Sequence, residues 1–313
     1  MKKNELDMAW GNPYFLLKIL EDEYRVSLLS TNVGNMSYAP DAGFPELIQL
    51  TRDVIKTTIG SIYKFIIITN GATHAINTLL RVYRDNDKKT VGTQEYGYPF
   101  YGDMIKRAGL KRVNHLNRPS DFLLIDSPSN PLGHQIFIGN PERDIWDTVY
   151  HNNIYTDDLE TKPKHLAMVG SYSKLLGLTG ARIGFVATND VYLAMQVENY
   201  ALKDNATVSV PSQRLIIDIL KDIDLESFMF LGRASLNDNR GQLQKIEYLF
   251  DGQPVQSVGM FYCAHADEKT LQILKKCGIK YIDLGDNFTR LSMGQTREIT
   301  KKAVKTILKE DRR

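Results

Sequence analysis

The chain has few of the features that mark secreted or nucleic-acid-binding proteins. It contains only two cysteines, Cys263 and Cys277, which form neither a CxxC pair nor a zinc-type spacing, so neither a disulfide framework nor a zinc site is expected. The 39 basic and 37 acidic residues leave a net charge of +2, which is too small to attract nucleic acid or an anionic membrane. We therefore expect small-molecule partners, no nucleic acid, and a reducing, cytoplasmic setting.

Long apolar runs are absent as well. The apolar segments FIIIT (65–69) and FLLID (122–126) have the length of strands and fall far short of the roughly 18 residues that a membrane-spanning helix needs. Acidic residues interrupt the N-terminal segment where a signal peptide would have its apolar stretch. The six histidines do not cluster, so no metal site is predicted.

What the sequence does contain is an alternation of short apolar runs and helical stretches between about residues 60 and 190. This alternation is typical of a mainly parallel sheet flanked by helices. Beyond residue 190 longer helical stretches are followed by strand-like segments. We predict an α/β fold with a large domain at 40–200 and a smaller α+β domain formed by 1–39 together with 201–313.

The segment from Gly170 to Gly184, GSYSKLLGLTGARIG, carries the strongest chemical signal. A lysine amine that forms an imine with a cofactor aldehyde needs hydroxyl and cationic groups nearby to hold a phosphate. The segment resembles the pyridoxal-phosphate (PLP) lysine motif of the class I/II aminotransferases, which are fold-type I PLP enzymes. The resemblance implies that Lys174 holds pyridoxal 5′-phosphate as a Schiff base and that Ser171 and Arg182 bind its phosphate. A lone SxxK would instead be an ordinary surface lysine.

An upstream turn offers a second phosphate contact. Asn70-Gly71-Ala72-Thr73 lies between a predicted strand and a predicted helix, and backbone amides at the start of a helix bind anions. The resemblance assigns Gly71, Ala72 and Thr73 to the cofactor phosphate. Taken alone, the motif would be an ordinary turn with a capping threonine.

Two further segments resemble the family's ring-binding motifs. SPSNPLG (127–133) resembles the asparagine-proline-x-glycine motif, in which Asn130 would contact the cofactor's 3-oxygen and the substrate. The segment 154–160 resembles the strand ending in an aspartate that pairs with the ring nitrogen, and Asp157, 27 residues after Asn130, is preferred to Asp158. The family commonly has a tyrosine three residues after that aspartate, whereas this chain has Glu160.

Three single residues complete the predicted site. Tyr98 occupies the place of an aromatic ring that stacks on the cofactor, although core packing would explain it equally well. Arg290 lies where the family supplies an arginine to the substrate α-carboxylate, with an ordinary strand arginine as the alternative. Tyr38 resembles a tyrosine that reaches the phosphate of the partner subunit, which implies a homodimer.

The resemblance, which spans about residues 35 to 295, implies an aminotransferase that moves an amino group between an L-amino acid and a 2-oxo acid. The same scaffold supports C–S lyases, decarboxylases and cyclases, so other PLP chemistry stays open. A non-catalytic binding protein that kept the fold is a further alternative. The side chain of the amino-acid substrate is not specified by these residues.

Overall fold

A computed structural model of the chain describes residues 6–9, 11–26, 37–114, 116, 118–135, 139–156, 166–251 and 259–312. In this part of the chain the helices are α1 (Tyr14–Asp22), α2 (Pro45–Ile59), α3 (Gly71–Asp85), α4 (Tyr101–Arg107), α5 (Tyr172–Leu175), α6 (Val191–Asn205), α7 (Val210–Asp222), α8 (Leu225–Leu243), α9 (Glu268–Lys276) and α10 (Arg297–Asp311). The strands are β1 (Leu6–Asp7), β2 (Phe65–Thr69), β3 (Thr90–Gly92), β4 (Lys111–Val113), β5 (Phe122–Asp126), β6 (Ile145–Asp147), β7 (Ala167–Ser171), β8 (Gly184–Thr188), β9 (Phe250–Asp251), β10 (Phe261–Ala266), β11 (Ile279–Lys280), β12 (Ile282–Asp283) and β13 (Phe288–Ser292).

Seven strands form the central sheet in the order β2-β8-β7-β6-β5-β3-β4. The pairs from β7 through β4 are all parallel, and β8 runs antiparallel to both of its neighbours, β2 and β7. The predicted α/β fold with a mainly parallel sheet is therefore confirmed.

Alternate side chains of the sheet enter two different apolar cores, one on each face. In β2, Ile66 and Ile68 belong to one core, while Ile67 belongs to the other. In β8, Phe185 and Val186 divide in the same way. Because both faces are covered, the strands are apolar at nearly every position instead of alternating with polar residues.

A smaller sheet lies in the C-terminal part of the chain. Its antiparallel strands follow the order β12-β13-β10-β9, and β1 pairs in parallel with β11 through Leu6 and Ile279. The smaller α+β region is thus confirmed. The pairing of β1 with β11 supports the expected association of the N-terminal segment with this region, while the boundaries 40–200 and 1–39 with 201–313 stay predictions.

None of the described helices is both long and apolar enough to cross a bilayer.

Candidate active site

A cavity of about 470 Å³ opens at the carboxyl ends of the large sheet's parallel strands, which is where ligands bind in sheets of this kind. It brings together eight of the predicted site residues: Ala72, Thr73, Tyr98, Asn130, Ser171, Lys174, Arg182 and Arg290. Segments distant in sequence therefore meet at one place. Gly71 adjoins the cavity through its contact with Arg182.

Lys174 is held in the cavity by the single-turn helix α5, which follows β7. The turn is capped at Ser171, whose Oγ accepts a hydrogen bond from the backbone N–H of Ser173 at 3.1 Å. The Lys174 Nζ donates to the backbone oxygen of Gly11. Burial, together with repulsion from Arg182 and Arg290, lowers the pKa of Lys174 to about 8. An appreciable fraction of the amine is therefore neutral near physiological pH, as a nucleophile requires.

A tightly packed anion cradle surrounds the start of α3. Gly71 has a φ of +77°, and a Cβ there would lie 2.5 Å from Nη2 of Arg182. A Cβ on Gly184, in the neighbouring strand β8, would lie 2.6 Å from the carbonyl carbon of Gly71 and 2.7 Å from the nitrogen of Ala72. Both positions therefore need glycine. The result is a guanidinium and helix-start amides facing one end of the cavity.

Ser173 adds a hydroxyl that the sequence analysis did not single out. It lines the cavity, and its buried Oγ has no hydrogen-bond partner among the described residues. A buried hydroxyl without a partner is costly, so a ligand oxygen here would be stabilised. The signal in the sequence is its place between Ser171 and Lys174.

Arg290 lies in β13 of the smaller sheet and bonds to the loop that follows β5 of the large sheet. Its Nη1 donates to Oδ1 of Asn130 at 3.1 Å and its Nη2 to the backbone oxygen of Ala9 at 2.9 Å. The guanidinium carbon lies 4.2 Å from the ring centre of Phe261, a cation–π contact. Its side chain is therefore fixed, and its charge is presented to the cavity without a carboxylate partner at these contacts.

Asp147 at the end of β6 also lines the cavity, a residue that counting from Asn130 does not select. Its Oδ2 accepts from the Tyr101 hydroxyl at 2.8 Å and its Oδ1 from the backbone N–H of Val149 at 3.0 Å. Burial raises the pKa of Asp147 to about 6. Tyr150, three residues later, lines the same cavity.

The predicted Asp157, with Asp158 and Glu160, lies outside the described residues. The pattern expected there, an aspartate ending a strand with a tyrosine three residues on, is met by Asp147-Thr148-Val149-Tyr150. The departure from the family at Glu160 does not arise if Asp147 is the aspartate of the motif. This four-residue pattern is the signal that could have found Asp147 in the sequence.

The two remaining aromatic residues differ in their surroundings. Tyr98 lines the cavity and packs edge-on against Phe100 and Tyr101, with ring centres 5.4 and 5.5 Å apart. Tyr38 does not line the cavity and is 84% exposed. Within a single chain, therefore, Tyr98 is available to a ligand and Tyr38 is not.

The cavity's chemistry fits pyridoxal phosphate. A phosphate matches the cradle of amides, the Arg182 guanidinium and the Ser173 hydroxyl, which has no partner among the described residues, and an aldehyde matches the partly buried amine of Lys174. A protonated ring nitrogen would find a buried carboxylate in Asp147, and a cation placed there would favour the charged form of that side chain. Each polar end of the cofactor thus meets a complementary group.

Comparison with known proteins points to one family. The family profile "Aminotransferase class I and II" matches residues 134–307, which is more than half of the chain. A (5-formylfuran-3-yl)methyl phosphate transaminase of Methanocaldococcus jannaschii is 25% identical, with 97% of this chain and 91% of that protein covered. An aspartate aminotransferase of Bacillus subtilis is 26% identical over 53% of this chain and 52% of its own length.

Solved structures share the fold. The crystal structure of an aromatic aminotransferase from Pyrococcus horikoshii superposes with a TM-score of 0.77 at 17% identity, with 99% of this chain and 97% of that chain covered. At this level of identity the likeness establishes the architecture.

The packing of Gly184 predicts a specific loss of cofactor binding. In Gly184→Ala the new methyl group would push the Gly71–Ala72 turn away from β8, and we expect PLP to bind at least about tenfold more weakly, since one displaced charge-assisted hydrogen bond is worth ~1.5–3 kcal/mol. The measurement is titration of the apo-protein with PLP, followed by visible absorbance. Gly180→Ala is the matched control, because a Cβ there meets nothing within 4 Å, and equal affinity of the two variants would contradict the packing argument.

Proposed function

The chain belongs to the class I and II aminotransferase family, and we propose that this cavity is its PLP-dependent active site, with Lys174 as the residue that holds the cofactor and moves the proton. The predicted aminotransferase function and PLP cofactor are confirmed at the level of the family. The observation that carries the residue assignment is a partly buried amine of lowered pKa, which lines one cavity together with Arg182 and Arg290.

The chemistry requires an electron sink, a base and a group that holds the substrate carboxylate in place. When bound, the cofactor supplies the sink, which stabilises negative charge at the substrate's α-carbon. Once the substrate amine has taken its place, Lys174 accepts the α-proton at Nζ, which its lowered pKa favours. Amino acid and 2-oxo acid are the substrates of this family's reaction.

We assign the ring-nitrogen carboxylate to Asp147 in place of the predicted Asp157. Support comes from its buried side chain in the cavity, from the two donors that fix its oxygens, and from Tyr150 three residues later. Tyr150 and Asn130 are the proposed partners of the cofactor's 3-oxygen. The phosphate is assigned to Gly71, Ala72, Thr73, Ser171, Ser173 and Arg182, and Tyr98 to the face of the ring.

Arg290 is the proposed clamp of the substrate α-carboxylate. Its Nε is buried and has no hydrogen-bond partner in the described part of the chain, so a carboxylate would satisfy a group that is otherwise unpaired. The Arg290 contact with Phe261 and the bond to Asn130 hold the guanidinium in position before substrate arrives. Substrate binding therefore costs little rearrangement at this side chain.

A homodimer in the cytoplasm completes the proposal. Tyr38 is largely exposed in the single chain, which suits a side chain that reaches into a partner's active site. Cys263 and Cys277 are free thiols, which suits a reducing compartment.

Replacing Lys174 tests the central assignment. Lys174→Ala is expected to lower turnover with an amino acid and a 2-oxo acid at least about 10³-fold, because both the attachment of the cofactor and the general base are removed. Lys301→Ala, at an exposed position of α10, is the matched control and should retain full activity. Borohydride treatment of the PLP-loaded wild type should attach the cofactor permanently to the Lys174 peptide. Attachment to another peptide would refute the assignment.

The choice between two aspartates can be tested directly. Asp147→Asn is expected to lower turnover at least about 100-fold, since the ring nitrogen would lose its charged partner, while Asp157→Asn should change it less than about threefold. The measurement is kcat with saturating PLP, and circular dichroism checks the fold of both variants. A large loss in Asp157→Asn alone would restore the assignment made from the sequence.

The shared site predicts complementation between two impaired variants. In a mixed dimer of Tyr38→Phe and Lys174→Ala subunits, one of the two sites would have both an intact Lys174 and an intact Tyr38. We expect co-expressed mixed dimers to bind PLP at that site with wild-type affinity, whereas pure Tyr38→Phe dimers bind it about tenfold more weakly, as for one lost phosphate hydrogen bond. Mixed dimers no better than the pure variant would rule out a contribution of Tyr38 across subunits.

A further inference from the structure

Two buried carboxylic side chains lie side by side at the cavity. Asp126 ends β5 and Asp147 ends β6, and the two are register partners on neighbouring parallel strands. Both line the cavity, and only 3% and 6% of their surfaces are exposed. Two carboxylates this close and this buried repel each other, which disfavours a state in which both are charged.

The hydrogen bonds around the pair are unequal. Asp147 receives one donor at each oxygen, from Tyr101 and from the backbone of Val149. Asp126 receives the backbone N–H of Asn130 at Oδ2, 2.8 Å away, while its buried Oδ1 has no partner among the described residues. An ionised carboxylate is stabilised by donors at both oxygens, so the charge belongs on Asp147 and a proton on Oδ1 of Asp126.

The charged and titratable groups around Asp126 do not remove this imbalance. Tyr101 on α4 and Tyr150 after β6 are neutral at physiological pH, since burial raises the pKa of both phenols. Arg112 on β4 is a cation that interacts with Asp126, but it donates its hydrogen bonds to Thr93 and Gln94. Burial first, and then repulsion by Asp147, raise the pKa of Asp126 to about 8, and they outweigh the hydrogen bonds from backbone N–H groups and from Gln94 that lower it.

We infer that Asp126 is a positioning residue that keeps the acid pair at a single negative charge, by carrying the proton itself and leaving the charge on Asp147. The inference rests on the proposed function, in which Asp147 faces the ring nitrogen. Ionisation of Asp126 would put a second negative charge beside that nitrogen. The neutral acid avoids this second charge.

The pH dependence of stability in the apo-protein tests the inference without any turnover. The unfolded chain loses the Asp126 proton near the ordinary pKa of 3.8, whereas the folded chain keeps it up to about pH 8, so wild type loses stability as pH rises between these values. Asp126→Asn has no such proton to lose. The difference in melting temperature between Asp126→Asn and wild type should grow in favour of the variant by at least about 3 °C from pH 5 to pH 8. Above pH 8 this gap should stop growing.

Two variants show whether the effect belongs to the pair. Asp218→Asn is the matched control at an exposed position of α7. Its melting temperature should change with pH in the same way as that of wild type. In an Asp147→Asn background, the gap caused by Asp126→Asn should stop growing at a lower pH, because the charge that raises the Asp126 pKa is gone. An unchanged limit would show that the two carboxyls do not interact.

Infrared spectra of wild-type apo-protein cover the case in which Asp126→Asn fails to fold. A protonated-carboxyl band present at pH 7 and lost above about pH 9 is expected, and its absence at pH 7 would overturn the inference. The same dependence of melting temperature on pH for wild type and Asp126→Asn would overturn it as well. Failure of the proposed function would look different, because PLP uptake would then be independent of Lys174.

Discussion

A partly buried amine beside two cations is the constraint on which this site depends. Lys174 lies beside Arg182 and Arg290, and its amine donates to a backbone oxygen, that of Gly11. A fully charged lysine in this place would be desolvated and repelled by both neighbours. Burial and the two arginines therefore favour the neutral amine. The same two cations would attract the anionic groups of the proposed ligands. One arrangement thus prepares the proposed nucleophile and both proposed anion sites.

Such an arrangement needs a rigid frame, which the packing around the first turn of α3 provides. Gly71 and Gly184 let two backbone segments touch, and Arg182 closes the third side with a left-handed backbone of φ 54°. Arg182 is fixed in turn by a hydrogen bond to the backbone oxygen of Thr179 at 2.9 Å. The anion cradle therefore exists before a ligand binds, and it gains affinity because little ordering is left to be done.

The fold and much of the site could be predicted because the signals were local. Gly71–Thr73 form the first turn of α3, directly after β2, and the segment from Ser171 to Arg182 is the short connection between β7 and β8, so short spacings decide their geometry. Asp147, the proposed partner of the ring nitrogen, is not found by counting from Asn130, because neither strand fixes the length of the segment 127–144 that connects β5 and β6. The bonds of Arg290 to Asn130 and Ala9 span 160 and 281 residues of sequence, and only the folded chain brings them together.

The strand order also fixes how a ligand lies in the cavity. Arg182 precedes β8, Lys174 follows β7, Asp147 ends β6 and Asp126 ends β5, and these four strands are consecutive in the sheet. Neighbouring strands are about 4.8 Å apart, so the cationic cradle and the acid at β6 are separated by roughly 10 Å. A flat ligand with an anionic group at one end, a cationic ring nitrogen at the other and an aldehyde between them matches this row in one orientation only. The reverse orientation would set the phosphate against the charged Asp147 and the cation against Arg182, so electrostatic repulsion disfavours it.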